Sequence, residues 1–280
     1  MEYRALEGFV FTVSPFNFTA IASNLNMSVA LMGNTTLWKP ATTALLSNYF
    51  LMKIFMEAGL PDGVLNFVPG PGSTIGSEVL KDPRLTGIHF TGSNNTFNQL
   101  WKGVAENLSS YISYPKLVGE TGGKDFIFVH PSAGIPEVAT AIVRGAFEYQ
   151  GQKCSAASRA YIPKSIWPQL KEIILGQVSR IKTGGVEDFN NFMNAVIDEK
   201  AYDNIMSYIG HAKKSAVCEI IAGGKGDKST GWFIEPTVIL TSDPYYKSMQ
   251  EEIFGPVITL CLYNDNEFEE TLELCNRTSP

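Results

Sequence analysis

Apolar and polar positions follow two rhythms along this chain, with short β-rich apolar runs separated by longer segments of helical spacing. This order is typical of βαβ units built around a mostly parallel sheet. In the first 122 residues the apolar runs predict five strands, over Gly8–Val13, Thr36–Lys39, Val64–Val68, Gly87–Phe90 and Lys116–Val118. The intervening segments predict four helices, over Ala20–Met32, Thr42–Ala58, Ser73–Leu80 and Ser93–Asn107. Because parallel strands collect ligands at their carboxyl ends, we expect the functional residues there.

Local signals mark some of the helix ends. Thr42 is predicted as the N-cap of the second helix, and Ser93 can cap the fourth, since short hydroxyl side chains accept a hydrogen bond from the first helical turn. Ala58-Gly59-Leu60-Pro61 predicts a helix exit, with glycine just past the end and proline shortly after.

Gly122-Gly123-Lys124 interrupts the alternation, and we place a domain boundary there, between domains 1–122 and 123–280. Beyond it, strands are predicted over Phe126–Val129, Ser158–Ile162, Glu219–Ile221, Trp232–Leu240 and Val257–Leu262. Helices are predicted over Ile135–Tyr149, Trp167–Ile181, Tyr202–Lys213 and Asn266–Cys275, and Gly223–Asp227 is interpreted as a surface turn. The predicted fold class is therefore α/β, with two parallel-sheet domains.

The composition is that of a globular protein, with 44% hydrophobic and 18% charged residues among 280. The formal net charge of −6 and the lack of any Lys/Arg-rich run argue against a nucleic-acid partner. No apolar run reaches the ~18 residues of a membrane span, and the opening residues lack a signal-peptide pattern. Four cysteines without a Cys-x-x-Cys pair argue against a disulfide framework and against a metal site. Both ends of the sequence are expected to be truncations.

Cys154 differs from the other three cysteines in its surroundings. Cys218 and Cys261 lie in apolar strand segments and Cys275 in a predicted helix, where a cysteine is usually a small buried hydrophobe. Cys154 instead lies in a polar, glycine-bearing segment between a helix and a strand, and Lys153 beside it could favour the thiolate. From the residues alone, Cys154 is either a nucleophile or an ordinary loop cysteine.

Glu120 comes at the end of a predicted strand and is followed by Thr121-Gly122-Gly123. Its carboxylate would emerge where an α/β sheet places ligands, so it is a candidate general base or a surface carboxylate at a turn. Two glycine segments, Pro69–Gly76 and Phe90–Ser93, are either phosphate-binding turns or ordinary helix starts. The isolated histidines disfavour serine-triad and zinc hydrolysis.

Six segments in order resemble the motifs of the aldehyde dehydrogenase superfamily, and the resemblance spans nearly the whole chain. They are Ser14–Phe18, Trp38-Lys39-Pro40, Phe90–Ser93, Glu120–Lys124, Gly151–Cys154 and Glu251–Pro256. The separation from Glu120 to Cys154 (154 − 120 = 34 residues) also agrees with that superfamily.

The resemblance implies a Rossmann-like cofactor domain (1–122, its C-terminal part) and a catalytic domain (123–280, its N-terminal part), both incomplete. It implies that Cys154 attacks an aldehyde, that Asn17 and the Cys154 N–H hold the oxyanion, and that Glu120 activates the hydrolytic water. It implies NAD as cofactor and no metal. The NAD-binding residues it implies are Ser14, Phe16, Lys39, Gly92, Ser93, Asn94, Asn95, Thr96, Gly122, Glu252 and Phe254.

Within the superfamily, the segments around these motifs look most like the 1-pyrroline-5-carboxylate dehydrogenases of proline breakdown. This implies oxidation of L-glutamate γ-semialdehyde to L-glutamate, with Lys153 and Ser155 near the substrate carboxylate. It also implies a homo-oligomer, without nucleic-acid or membrane partners, in the mitochondrial matrix of a eukaryote or otherwise in the cytoplasm. The alternatives are another aldehyde substrate, a reductive enzyme without a hydrolytic base, and an inactive truncated protein. Ala41-Thr42 leaves the choice between NAD and NADP open.

Overall fold

The computed structural model describes residues 4–278, and the chain divides into two units, Met1–Gly122 and Gly123–Pro280. Unit 1 contains the strands β1 (Phe9–Val13), β2 (Thr35–Lys39), β3 (Leu65–Phe67), β4 (Leu85–Gly92) and β5 (Lys116–Thr121). Its helices are α1 (Thr19–Leu31), α2 (Leu45–Glu57), α3 (Gly72–Val79) and α4 (Asn94–Glu106). Each predicted strand and helix of this half is therefore present, with its ends moved by a few residues.

The five strands of unit 1 form one parallel sheet in the order β3-β2-β1-β4-β5. This is the order of the Rossmann-like nucleotide-binding sheet, and the chain reverses direction across the sheet between β1 and β4. Phe11, Ile88 and Phe90 from these two central strands are buried together with residues of α3 and α4. The crevice at the carboxyl ends of β1 and β4 is therefore where this fold binds ligands.

The helix ends of unit 1 test three local predictions. Ser93 caps α4, because its Oγ accepts a hydrogen bond from the Thr96 N–H at 3.3 Å. Gly59 follows α2 with a φ of +95°, as the predicted exit requires. The predicted N-cap at Thr42 is wrong: Thr42–Ala44 form a tight 3-10 turn, and α2 begins only at Leu45. Such turns often precede an α-helix. No side-chain hydrogen bond caps the start of α2.

Unit 2 is also α/β, and its strands are β6 (Phe126–Phe128), β7 (Arg159–Pro163), β8 (Cys218–Ala222), β9 (Gly226–Asp227), β10 (Phe233–Ile234), β11 (Thr237–Thr241) and β12 (Val257–Tyr263). Its helices are α5 (Ile135–Phe147), α6 (Trp167–Val178), α7 (Glu199–Lys214), α8 (Lys247–Gln250) and α9 (Phe268–Arg277). Alternate residues of β7 enter opposite cores, with Ala160 and Ile162 on one face of the sheet and Tyr161 on the other. Both faces are therefore covered by helices.

The second sheet corrects the expectation of two parallel sheets. Its order is β6-β7-β12-β11-β8, and β8 pairs antiparallel with β11. No helix lies between these two strands, so the chain makes no crossover and β11 returns in the opposite direction. The predicted single strand Trp232–Leu240 is also wrong, because Pro236 separates β10 from β11. The predicted surface turn Gly223–Asp227 ends in β9, which pairs with β10.

Two kinds of feature, a membrane-spanning helix and a metal-binding cluster, are absent from residues 4–278. Among the helices of residues 4–278, none is both long enough and apolar enough to cross a bilayer. Over the same residues, no group of three or more His, Cys, Asp or Glu side chains is placed to hold a metal ion.

Candidate active site

The predicted site residues of unit 1 lie at the carboxyl ends of its parallel strands. Ser14, Phe16 and Asn17 follow β1, and Lys39 is the last residue of β2. The other members lie at the same carboxyl ends of β4 and β5, and they are Gly92, Ser93, Asn94, Asn95, Thr96, Glu120 and Gly122. Since the strands are parallel, their carboxyl ends lie along one edge, and the sheet gathers these residues there.

The segment after β1 is tied to β2. The buried Trp38 indole N–H donates to Ser14 Oγ at 2.9 Å, and the Ser14 N–H donates to the Lys39 carbonyl at 3.3 Å. Asn17 follows three residues later and is 5% exposed. A buried amide needs polar partners. Asn17 is therefore not an ordinary surface asparagine, and it lies at a strand end where this fold binds ligands. The Ser14 hydroxyl orients the strand end through Trp38.

Lys39 reaches from the end of β2 toward the start of α3. A β-carbon placed at Gly72, the first residue of α3, would lie 3.8 Å from Lys39 Nζ. Burial lowers the pKa of Lys39 from its ordinary value. A lysine beside exposed helix-start N–H groups is a natural site for an anion or a polar hydroxyl.

An apolar groove beyond β2 and β3 was not predicted from the sequence. Its lining residues come from the start of α2 and the end of β3, and they are Thr42, Thr43, Leu45, Leu46, Tyr49, Phe67 and Pro69. Leu46 is 70% exposed although it is a large apolar residue. The strong apolar content of α2 was the available signal in the sequence.

The first turn of α4 is open to solvent. Gly92 ends β4, Ser93 caps the helix, and Asn94, Asn95 and Thr96 are exposed. A β-carbon at Gly92 would lie 2.7 Å from the ring of Phe90, so a side chain there needs that ring to move. The exposed N–H groups and the positive end of the helix dipole favour a bound phosphate group.

Glu120 lies in β5, the edge strand, with an exposed side chain. It is in register with Thr91 of β4, one residue before the turn into α4. Its charge opposes the effect of burial on His89, because burial lowers the pKa of that imidazole while the Leu25 carbonyl and Glu120 raise it. Glu120 thus lies near the carboxyl end of β5, next to the carboxyl end of β4 where Gly92 lies.

In unit 2, Cys154 lies in a tight turn between α5 and β7. The Ala156 N–H donates to the Lys153 carbonyl at 3.1 Å, which makes Cys154 and Ser155 the central residues of the turn. Cys154 is partly buried and Ser155 is exposed. The placement differs from that of Cys261 and Cys275, which are buried in β12 and α9 as expected.

The backbone leading into this turn is strained. Among residues 4–278, the non-glycine residues with positive φ are Tyr149 (56°), Gln150 (58°) and Phe254 (56°). Such conformations cost about 1–3 kcal/mol each and persist where the surroundings hold them. Gln150 Nε2 donates to the Ala195 carbonyl at 3.1 Å, and Gln152 Oε1 accepts from the Ile197 N–H at 2.9 Å. Two buried amides thus fix the segment before Cys154.

Gly151 completes this strained segment with a φ of +65°. A β-carbon there would overlap the Gly255 carbonyl oxygen. The backbone that precedes the cysteine therefore packs directly on the backbone after Phe254, and only glycine allows that approach.

Cys154, Lys153, Glu252 and Phe254 line one small cleft together with Gly123. Burial raises the pKa of Glu252, while the Gly123 N–H that it accepts and the charge of Lys124 lower it. Phe254, which has a left-handed backbone conformation, also lines the cleft. The structure thus brings four of the five predicted residues of this unit together, and Ser155 is not among the lining residues.

Lys153 has a partner of its own. Its ammonium bonds to Glu148 Oε2 at 2.8 Å, and Glu148 also pairs with Arg144 at 2.6 Å. Lys153 and then Arg144 hold the pKa of Glu148 below its usual value. The charge of Lys153 is therefore largely balanced, which weakens its predicted role toward the cysteine thiolate or a substrate carboxylate.

Comparison with known proteins decides the family. The model of the aldehyde dehydrogenase family matches residues 1–279. The chain belongs to the aldehyde dehydrogenase family. Its α/β fold is confirmed by the 0.92 TM-score to a crystal structure of the Mycobacterium tuberculosis Δ-pyrroline-5-carboxylate dehydrogenase bound with NAD, at 46% identity over 97% of this chain and 50% of that one.

Curated relatives within the aldehyde dehydrogenase family give a consistent result. The mitochondrial Δ-1-pyrroline-5-carboxylate dehydrogenase of Dictyostelium discoideum is 55% identical over 100% of this chain and 50% of its own length. The human protein of the same description is 50% identical over 99% of this chain and 49% of its own. The chain spans about half the length of the curated relatives it matches.

Proposed function

We propose that this aldehyde dehydrogenase family member carries the cofactor-binding and nucleophile residues for NAD-dependent oxidation of L-glutamate γ-semialdehyde to L-glutamate. The observation that carries the proposal is the cleft in which Cys154 stands beside Glu252 and Phe254, behind a strained and doubly anchored backbone. The substrate is supported by relatives named Δ-1-pyrroline-5-carboxylate dehydrogenase at 50–55% identity. We assign 1–122 to the NAD-binding domain and 123–280 to the catalytic domain.

The residues of unit 1 fit NAD. The open first turn of α4 suits the diphosphate, with Gly92, Ser93 and the exposed Asn94–Thr96 around it. Lys39, whose ammonium lies beside the start of α3, suits an adenosine ribose hydroxyl, and the apolar groove with Tyr49 and Phe67 suits the adenine ring. Ser14, Phe16 and Gly122 would border the same strand ends, and Glu252 and Phe254 would hold the nicotinamide side. When bound, NAD supplies the hydride acceptor.

The first half-reaction makes a bond to sulfur. The Cys154 thiolate attacks the aldehyde carbon, and the carbonyl electron pair moves to oxygen. The Asn17 amide and the Cys154 N–H donate to that oxyanion and stabilise it as it forms. Collapse of the oxyanion restores the carbonyl and releases the hydrogen of the former aldehyde with its electron pair. The product is a thioester on Cys154.

The second half-reaction cleaves the thioester. The Glu120 carboxylate takes a proton from water while the water oxygen bonds to the thioester carbon. The carbon–sulfur bond then breaks, Cys154 leaves as the thiolate that began the cycle, and the carboxylic acid departs. Glu120 then releases its proton to solvent. Ser155, exposed in the cysteine turn, is our candidate contact for the substrate carboxylate, with Lys153 second because Glu148 already binds it.

The proposal extends to assembly and location. We infer a homo-oligomer, and a mitochondrial matrix location if the source is a eukaryote, since the Dictyostelium and human relatives are named mitochondrial. In a source without mitochondria we infer the cytoplasm.

The test is NADH formation by the purified protein with glutamate γ-semialdehyde and with simple aliphatic aldehydes. We expect preference for the semialdehyde, loss of turnover in Cys154→Ala, and full activity in the matched control Cys218→Ala. We expect Glu120→Gln to form one equivalent of NADH and then stall at the thioester.

Each outcome is decisive for one part of the proposal. Equal rates with all aldehydes contradict the substrate, and full acid formation by Glu120→Gln contradicts the hydrolytic base. NAD binding without any NADH formation contradicts the catalytic proposal and indicates a binding protein.

A further inference from the structure

One wall of the Cys154 cleft is made by a single run of the chain. Residues 251–256 are called the Glu252 segment here, and four of them, from Glu252 to Gly255, line the cleft. Phe254 within the segment has a φ of 56°, a conformation that a non-glycine residue keeps only where its surroundings hold it. Contacts from outside the segment are therefore important for its shape.

Helix α7 contacts the start of the Glu252 segment. The Tyr208 hydroxyl donates a hydrogen bond to Glu251 Oε2 at 2.6 Å. The Lys247 ammonium lies 3.5 Å from the same carboxylate oxygen and 4.7 Å from the centre of the Tyr208 ring. A phenol, a carboxylate and an ammonium thus meet at one point, and each contact favours the same position of the Glu251 side chain.

The same helix contacts the end of the segment one turn earlier. Ile205 is fully buried beside Gly255, and a β-carbon placed at Gly255 would overlap its side chain. Residues three apart on a helix lie on one face, so Ile205 and Tyr208 present one surface of α7 to the segment. Gly255 in turn packs on Gly151, which comes three residues before Cys154. Helix α7 therefore lies behind this wall of the cleft and contacts it at both ends.

The Tyr208 hydroxyl is a hydrogen-bond donor at neutral and moderately alkaline pH. Burial, and then the hydrogen bond and the charge of Glu251, raise the pKa of Tyr208 to about 12. A hydrogen bond to an ionised carboxylate is stronger than one between neutral groups. Tyr208→Phe removes this bond and keeps the ring, so it separates the hydrogen bond from the packing of α7.

We propose that Tyr208 is a positioning residue, which holds the Glu252 segment at the cleft of Cys154 through its hydrogen bond to Glu251. Tyr208 is not among the residues that line the cleft, so it acts through the segment and not on a ligand. The consequence for NAD rests on the proposed function, in which Glu252 and Phe254 hold the nicotinamide side. The placement of the segment does not depend on that function.

Amide hydrogen exchange tests the placement of the segment without any ligand. Tyr208→Phe is compared with the wild type and with a matched control, Tyr245→Phe, at an exposed tyrosine just before α8. In Tyr208→Phe we expect exchange in the peptide that covers the Glu252 segment to become about fivefold faster, because a local hydrogen bond is lost. Exchange in α6 and the melting temperature should stay nearly unchanged. Tyr245→Phe is expected to change none of these quantities.

Substitutions of Glu251 test the partner of the hydrogen bond. Glu251→Leu removes the acceptor and should reproduce the faster exchange, and Tyr208→Phe should have no further effect in that background. Glu251→Gln keeps an acceptor oxygen and should stay closer to the wild type.

Two results would overturn the positioning role. One is unchanged exchange of the Glu252 segment in Tyr208→Phe, or additive effects of Tyr208→Phe and Glu251→Leu. The other is faster exchange throughout unit 2 with a lower melting temperature, because a purely structural tyrosine behaves in that way.

The NAD dissociation constant, measured by calorimetry on the same variants, tests the consequence for the cofactor. We expect Tyr208→Phe to weaken NAD binding about threefold, and to have no further effect in the Glu251→Leu background. Unchanged affinity in Tyr208→Phe overturns the link between the segment and the cofactor. Faster exchange in Tyr208→Phe, combined with a wild-type protein that does not bind NAD, supports the positioning role and contradicts the proposed function instead.

Discussion

The two units place their candidate site residues by different means. In unit 1 the residues follow the carboxyl ends of parallel strands, and none of the described non-glycine residues of that unit has a positive φ. In unit 2 the cysteine turn and the Glu252 segment are held by strained backbone at Tyr149, Gln150 and Phe254 and by buried side chains. Topology places the first group, whereas long-range contacts place the second. We therefore expect substitutions of anchoring residues to cost more in unit 2.

The largest expected effect is the pH dependence that buried Lys124 gives to stability. Its pKa falls from 10.5 in the unfolded chain to about 7 in the fold, so the unfolded state binds more protons between those values. The contribution of Lys124 to stability should rise with pH across that window, by roughly 3 to 5 kcal/mol, and should not change below it. Denaturant unfolding from pH 7 upward should show this rise in the wild type relative to Lys124→Met. An equal dependence of stability on pH in both proteins would contradict the predicted effect of the buried Lys124 charge.

Gly151→Ala comes next. The new β-carbon would overlap the Gly255 carbonyl oxygen in a backbone with φ of +65°, so we expect a loss of roughly 2 to 4 kcal/mol. Gly176→Ala in α6 is the matched control, because open space surrounds it, and it should add about 0.5–1 kcal/mol. Urea unfolding measures both. A harmless Gly151→Ala would mean that the cysteine turn is not tightly packed.

Gln152→Ala should cost about 1 to 3 kcal/mol, because the Ile197 N–H loses its buried acceptor. The same change should alter the alkylation rate of Cys154 by iodoacetamide, since Gln152 fixes the turn. Gln177→Ala of α6, at a half-buried residue whose amide makes an exposed hydrogen bond to Thr140, should change neither quantity. Equal results for the two glutamines would break the argument that long-range hydrogen bonds place the cysteine.

The smallest effect belongs to unit 1. Ser93→Ala removes the cap of α4 and should cost about 1 kcal/mol, with weaker NAD binding at the open helix start. Ser207→Ala, an exposed serine of α7 whose hydroxyl bonds within its own helix, should leave both stability and NAD affinity nearly unchanged. A Ser93→Ala cost above that of Gln152→Ala would reverse the ranking of the two units.

The same contrast explains how far the sequence could be interpreted. The strands of unit 1 and the cap at Ser93 were predicted because hydrophobic spacing and capping chemistry are local signals. The four-residue helix α8 was missed since it is too short for periodicity, and the break at Pro236 was passed over. The roles assigned to Cys154, Glu120 and the other site residues stay predictions.

Other features had no local signal. Gln150 has a left-handed backbone, and its side chain bonds to the Ala195 carbonyl, 45 residues away. The burial of Lys124 had no local signal either, because lysine is usually a surface residue and the Arg159 side chain that bonds to its carbonyl is 35 residues away.

The close approach of Gly151 and Gly255 limits where the cleft of Cys154 can be redesigned. A side chain at Gly151 would meet the Gly255 backbone, and one at Gly255 would meet Ile205, so neither position can be used to reshape the pocket. Ser155 is different, because it is exposed at the centre of the cysteine turn. Under the proposed function, libraries that vary Ser155 while keeping both glycines test whether this exposed residue contacts the substrate, and they leave the packing of the Cys154 turn unchanged.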